Sequence, residues 1–226
     1  MALEHRFYGV SVPNNRADSA NYQYLTVQQA LADLSSFTDY FKQSYNTKDS
    51  TWFVFGGSYP GALSSWYRAA YPHQSAGSLS SSGVVNCIVD YYQFDMQVSA
   101  AIGNQCADQI KRINAAFERS IATPAGWKKS LSQFHCEHDM WKNDFLYMIA
   151  DSWSMADQYS AKSQLCDAIL AVGTEASDDV LTQTFADFSN SFWGTQFCSG
   201  GFCKLVVDND FIVVYVFMTF IDWFVD

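Results

Sequence analysis

The ten residues Trp52-Phe53-Val54-Phe55-Gly56-Gly57-Ser58-Tyr59-Pro60-Gly61 constrain the fold of this 226-residue chain more than any other stretch. Four apolar, mostly aromatic or β-branched residues read as a buried strand. A glycine pair, a serine and a further glycine then turn the chain into the helix-like run Ala62-Leu63-Ser64-Ser65-Trp66-Tyr67-Arg68. Strand, tight turn and helix, with a serine on the turn, is the layout of a nucleophile elbow. The turn is strained, so it needs small neighbours whose Cβ atoms do not crowd the serine. The generic pattern is G-x-S-x-G, whereas here Pro60 takes the place of the second glycine, which follows at Gly61.

The flanking sequence alternates in period. Thr26 is a plausible N-cap, and Val27, Ala30, Leu31, Leu34, Phe37 and Phe41 recur at spacings of three and four, which predicts an amphipathic helix lying on a sheet. Pro72 stops the elbow helix, and residues 76–83, small and punctuated by glycine, hold another short strand. Residues 2–9 are expected to be a strand running out into a loop, followed by a polar loop over 10–22 with Pro13 and Asn14-Asn15 as turn chemistry. Strands alternating with helices are the α/β signature.

After Val84-Val85 the pattern changes. Helices are expected at 91–102, 106–121, 127–136, 141–154, 161–172 and 180–188, with Thr123-Pro124-Ala125-Gly126 as a break and no strand between them. The expected organisation is a partial α/β core over 1–85, an all-helical insertion over 86–204 and an atypical tail over 205–226. Within the tail, 211–221 is an unbroken apolar run, shorter than the ~20 residues of a membrane span.

The net charge of −10 leaves no basic patch to neutralise phosphates, which argues against nucleic acid as a partner and favours a peptide or small molecule. With 49% hydrophobic residues the chain has the means to bury a core, and this composition argues against disorder. Cys87, Cys106, Cys136, Cys166, Cys198 and Cys203 are scattered, with no C-x-x-C, so a structural zinc site is disfavoured and up to three disulfides are possible. Disulfides suit a lumenal or secreted compartment, yet the opening Met1-Ala2-Leu3-Glu4-His5-Arg6 is no signal peptide and there is no Asn-x-Ser/Thr sequon. No cofactor and no metal is implied.

Several stretches together resemble one family. They are Glu4-His5-Arg6-Phe7-Tyr8-Gly9, the helix beginning Tyr24-Leu25-Thr26-Val27-Gln28-Gln29, the run Phe55-Gly56-Gly57-Ser58-Tyr59-Pro60-Gly61-Ala62-Leu63-Ser64, and Tyr71-Pro72-His73 through Gly77-Ser78-Leu79-Ser80-Ser81-Ser82. Phe94-Asp95 and Phe192-Trp193-Gly194 fit more loosely. The chain resembles the serine exopeptidases that include prolyl carboxypeptidase, dipeptidyl peptidases of its type and thymus-specific serine protease, the last branch most of all. The resemblance implies a partial α/β-hydrolase core with an inserted all-helical cap. It also implies Ser58 as nucleophile, the Tyr59 backbone N–H as an oxyanion-hole donor, a peptide substrate cut near a chain end, often after proline, and a lysosomal, vesicular or secreted location. Pro60 is explained too, since Gly-Gly-Ser-Tyr-Pro/Gly-Gly is the form that family uses.

In this fold the triad runs Ser, then Asp, then His, and no downstream segment of this chain resembles the family's return to the sheet. His73 follows a dozen helical residues, roughly 18 Å from Ser58 at ~1.5 Å per residue, too far to act as its base. His5 reads as a structural hydrogen bonder, and His135 and His138, flanking Cys136-Glu137, lack a third ligand for a metal. Asp208 and Asp210 read as a solvated turn. The chain is therefore expected to be a fragment, weakly active or inactive as written. A catalytically dead module that binds peptides or a partner, and an esterase on the same core, are the competing readings.

Overall fold

A computed structural model describes residues 1–136, 140–194 and 198. The chain divides into two compact units, Met1–Ile88 and Val89–Asp226.

The first unit is built from α1 (Val27–Ser44), β1 (Phe53–Gly57), α2 (Tyr59–Ala70) and β2 (Gly77–Ser81). Helix α1 starts where the sequence places it, with the Thr26 hydroxyl accepting from the Gln29 N–H. β1 and β2 run parallel, with Phe53 opposite Gly77 and Gly57 opposite Ser81. A parallel pair needs a crossover, and α2 supplies it. Alternation along β1 sends Val54 towards Ala30, Leu31, Leu63 and Tyr67 of the two helices. Phe53 and Phe55 take the opposite face, where they are 64% and 79% exposed beside Leu79. Polar bonds lock the crossover: Ser64 Oγ lies 2.8 Å from both the Gly61 and Leu79 carbonyls, and the fully buried Tyr67 reaches Thr38 Oγ1 at 3.0 Å.

The strand expected over residues 2–9 is not formed. That segment folds back on itself as a loop, with Phe7 N–H donating to Ser11 C=O, Ser11 N–H donating to the Glu4 carboxylate, and Phe7 in the left-handed region at φ 70°. Bonds within the loop, and from Arg6 to Asp33 of α1, take the place of a strand ladder.

The second unit is helical: α3 (Tyr92–Ile102), α4 (Asn104–Ile121), α5 (Pro124–Gln133), α6 (Lys142–Gln158), α7 (Lys162–Ala171) and α8 (Asp178–Trp193). Helix α4 is its axis and packs against the other five. Cys106, Ile110, Ile113, Phe117 and Ile121 form one buried stripe along it. Phe117 sits in an aromatic knot with Phe134, Phe145 and Phe185, at centroid distances of 5.6, 5.7 and 6.3 Å. The break expected at Thr123-Pro124-Ala125-Gly126 separates α4 from α5 but is shorter than that, because Pro124 already opens α5. The Thr123 hydroxyl caps the Gly126 N–H, and Pro124 sits where a missing N–H costs nothing.

Two disulfides, Cys106–Cys166 and Cys136–Cys198, bridge sequence separations of 60 and 62 residues. Cys87 is exposed and outside both, and Cys203 lies outside the described residues. No helix among the described residues is long and apolar enough to cross a membrane. The 205–226 tail, with Asp208, Asp210 and the apolar run 211–221, lies outside the described residues.

Candidate active site

Ser58 stands between the last residue of β1 and the first of α2, at φ 57° and ψ −127°. A left-handed φ is unfavourable for a residue with a Cβ and costs ~1–3 kcal/mol, so the surroundings must hold it. They do so from both sides. Ser58 N–H donates to Ser81 C=O at 2.9 Å, extending the ladder by one rung, and Ser58 C=O accepts from Ala62 N–H at 3.1 Å, opening the helix. Two glycines make the turn sterically possible. A Cβ on Gly56 would run into the Pro60 carbonyl, and one on Gly61 would stand 2.7 Å from Ser81 O. Gly57 differs from the expectation that small neighbours are needed throughout, because nothing lies within 4 Å of the Cβ it lacks.

Tyr59 begins α2. Its backbone N–H precedes the first intrahelical bond and has no helical acceptor. The peptide joining Ser58 to Tyr59 is planar and its C=O points into the helix towards Ala62, so the N–H on the other side points away from the helix. An outward N–H at a helix N-terminus, one residue past a serine, is suited to an anionic oxygen.

The Tyr59 side chain is tied back to the N-terminal loop. His5 Nδ1 lies 2.7 Å from the Arg6 carbonyl, and its Nε2 lies 3.1 Å from Tyr59 Oη. A carbonyl only accepts, so Nδ1 carries the proton, Nε2 is the lone-pair nitrogen, and the tyrosine hydroxyl donates to it. Burial, the largest influence, draws the His5 pKa below 6.5, and burial pushes the Tyr59 phenol up to about 12. Both groups are thereby held neutral. The next residue, Arg6, grips α1: Nε and Nη2 reach the two Asp33 carboxylate oxygens at 2.6 Å each, while Nη1 donates to the Tyr24 carbonyl at 3.0 Å and to Gln29 Oε1.

Of the residues singled out from sequence, Ser58, Tyr59 and His5 come together at one end of β1. His73 lies on an exposed turn, and His135 is exposed at φ 54°. Cys136, beside it, is bonded to Cys198, while Glu137 and His138 lie outside the described residues. Among the described residues no histidine or carboxylate is hydrogen-bonded to Ser58 Oγ. Sequence reasoning missed the Tyr59 side chain and the Arg6–Asp33 pair. The only signal for them was the polar triplet Glu4-His5-Arg6 set between apolar residues.

Comparison with known proteins follows this geometry. The profile described as serine carboxypeptidase S28 matches residues 1–185. A probable serine protease EDA2 of Arabidopsis thaliana is 37% identical over 206 residues, covering 87% of this chain and 42% of that protein. Thymus-specific serine protease of Mus musculus is 36% identical over 103 residues, covering 45% of this chain and 20% of the relative. Lysosomal Pro-X carboxypeptidase of Homo sapiens is 28% identical over 169 residues, covering 66% and 33%. This chain thus spans less than half the length of these relatives.

Proposed function

The chain belongs to the serine carboxypeptidase S28 family, and from that premise we propose serine-type peptidase chemistry with Ser58 as the nucleophile and the Tyr59 backbone N–H as one oxyanion-hole donor. The observation that carries this reading is the left-handed Ser58 at the strand-to-helix turn, with the N–H of the next residue, which has no backbone acceptor among the described residues, directed away from the helix. Ser58 Oγ attacks the carbonyl carbon of a peptide bond and gives up its proton to a base, and the carbonyl oxygen becomes an anion facing the Tyr59 N–H. Collapse of that intermediate breaks the C–N bond, the departing amine takes a proton, and water then releases the acyl group from Ser58.

The substrate is a peptide cut near a chain end and after proline, a preference that rests on the relative named Pro-X carboxypeptidase. The lysosomal relative and the two disulfides support a lysosomal, vesicular or secreted site of action. Residues 1–85 are assigned to an α/β-hydrolase core, 86–204 to a helical cap insertion and 205–226 to a separate tail.

No described histidine holds the Ser58 hydroxyl, and this chain by itself is expected to turn over a peptide weakly or not at all. An oxyanion site without a complete triad retains residual reactivity. A fluorophosphonate probe is therefore expected to label the chain slowly, with the label lost in Ser58→Ala and with little turnover of a Pro-X peptide. No labelling, or equal labelling of the alanine variant, overturns the nucleophile assignment. Rapid stoichiometric labelling overturns the expectation of weak activity.

A further inference from the structure

We propose that His5 is a positioning residue for the elbow, holding the Tyr59 phenol and through it the Ser58–Tyr59 peptide whose N–H faces the oxyanion. This rests on the reading of Ser58 as the nucleophile.

The geometry is a chain of fixed contacts. An oxyanion donor is effective only if its direction is set before the charge develops. The Ser58–Tyr59 peptide is held at its carbonyl end by Ala62 N–H. Its other end is the Tyr59 Cα, and Tyr59 is the first residue of α2, where no earlier helical turn packs beneath the side chain. That side chain is partly buried against the cluster of Ala30, Leu31, Leu63 and Tyr67, its ring leans on His5, and its Oη is bonded to His5 Nε2.

His5 is well suited to accept that bond. Its tautomer is set by Nδ1–H donating to the Arg6 carbonyl, so Nε2 always presents a lone pair while the ring is neutral. The ring also stacks on Tyr8 at 4.6 Å between centroids and leans on Tyr59 at 5.5 Å. The loop bearing His5 is itself anchored, because the adjacent Arg6 is bidentate to Asp33 on α1. Three elements therefore meet at one peptide: α1 through Asp33 and Arg6, the N-terminal loop through His5, and α2 through Tyr59. Packing alone would fill the space around Tyr59 without a directional bond. A tautomer-locked acceptor aimed at the phenol adds direction, which is what an oxyanion donor requires.

The test uses the 226-residue chain and the variants Tyr59→Phe, His5→Leu, the double variant, and His5→Gln, whose amide oxygen can take the place of Nε2 as acceptor. Thermal melts confirm that each is folded, and two readouts follow. The first is the backbone amide resonance of Tyr59, which reports on the link whether or not Ser58 reacts. It is expected to shift or broaden in Tyr59→Phe and His5→Leu, to stay close to wild type in His5→Gln, and to leave the amides of residues 63–68 unmoved. The second is the rate of Ser58 phosphonylation by the fluorophosphonate. It is expected to fall about tenfold in each single variant and no further in the double, less than the ~10²–10³-fold of deleting an oxyanion donor outright. An unmoved Tyr59 amide in both single variants, or additive rate losses in the double, overturns the positioning role. Shifted Tyr59 amides in the single variants, together with labelling of the wild-type chain that Ser58→Ala leaves unchanged, overturn the nucleophile assignment instead.

Discussion

The two units of this chain solve the problem of burial in opposite ways. In the helical unit Phe117, Phe134, Phe145 and Phe185 are almost entirely enclosed, α4 packs against the other five helices, and two disulfides, one of them between α4 and α7, join residues far apart in the chain. The strand-bearing unit has a small cluster around Ala30, Leu31, Leu63 and Tyr67, covers one face of a two-stranded sheet, and exposes Phe53, Phe55 and Leu79 on the other. Yet the turn that carries Ser58 stands on the strand-bearing unit, not on the helical one. Its precision comes from directed polar bonds, Ser58 to Ser81, Tyr59 to His5 and Arg6 to Asp33, more than from apolar mass. A fold can be stabilised by area and a site aligned by direction, and here the two tasks fall to different regions.

Truncating the same residue type in each region gives the sharpest break of that contrast. Phe117→Ala removes a fully buried ring and is expected to cost about 3–5 kcal/mol in denaturant unfolding. Phe55→Ala removes a ring that is 79% exposed and should stay within about ±0.5 kcal/mol. Similar losses at both positions would mean that Phe55 is covered in solution. Next in size is the bridge between α4 and α7. Replacing Cys106 and Cys166 by serine frees a 60-residue separation and should lower the stability of the helical unit by about 2–4 kcal/mol. The Tyr59 and His5 amide resonances of the other unit should be unaffected.

Acidity should move the two units in opposite directions. Burial pushes the Asp151 carboxyl on α6 up to about 6 from 3.8, so between these values the folded state binds a proton that the unfolded state has lost. Its contribution, about 3 kcal/mol, is fully present below pH 3.8 and is lost as pH rises through about 6. His5 has the reverse sign. Its folded pKa lies below 6.5, so its contribution is present above 6.5 and lost as pH falls through the lowered value. Melting curves of the helical unit's signals should therefore fall on going from pH 4 to pH 7, and Asp151→Asn should flatten that slope; an unchanged slope would remove Asp151 as its cause. A smaller loss is expected at the clamp. Arg6→Lys loses the two-pronged grip on Asp33, whose carboxylate is 41% exposed, and should cost ~1 kcal/mol, read from urea unfolding of the strand-bearing unit.

What lay open in the sequence was whatever is encoded over a few neighbouring residues. The elbow from Trp52 to Gly61, the Thr26 cap and the apolar stripe of α4 are local patterns, since periods of two and 3.6 and the chemistry of glycine, proline and serine act within one turn or strand. Thr123-Pro124 shows the limit of such reading, because the same residues serve a loop or a helix start and only the neighbouring Gly126 N–H decides. The tertiary structure alone decided the pairings across distance. His5 meets Tyr59 over 54 residues, Arg6 meets Asp33 over 27, and the cysteines pair over 60 and 62. Such pairings depend on how α1, α2 and the loop around His5 stack in space, and no local period records that. The sequence by itself determined which serine sits on the turn and which family the turn belongs to; only the folded chain determined what holds that turn in place, because direction between groups far apart in the chain exists only once their elements are packed.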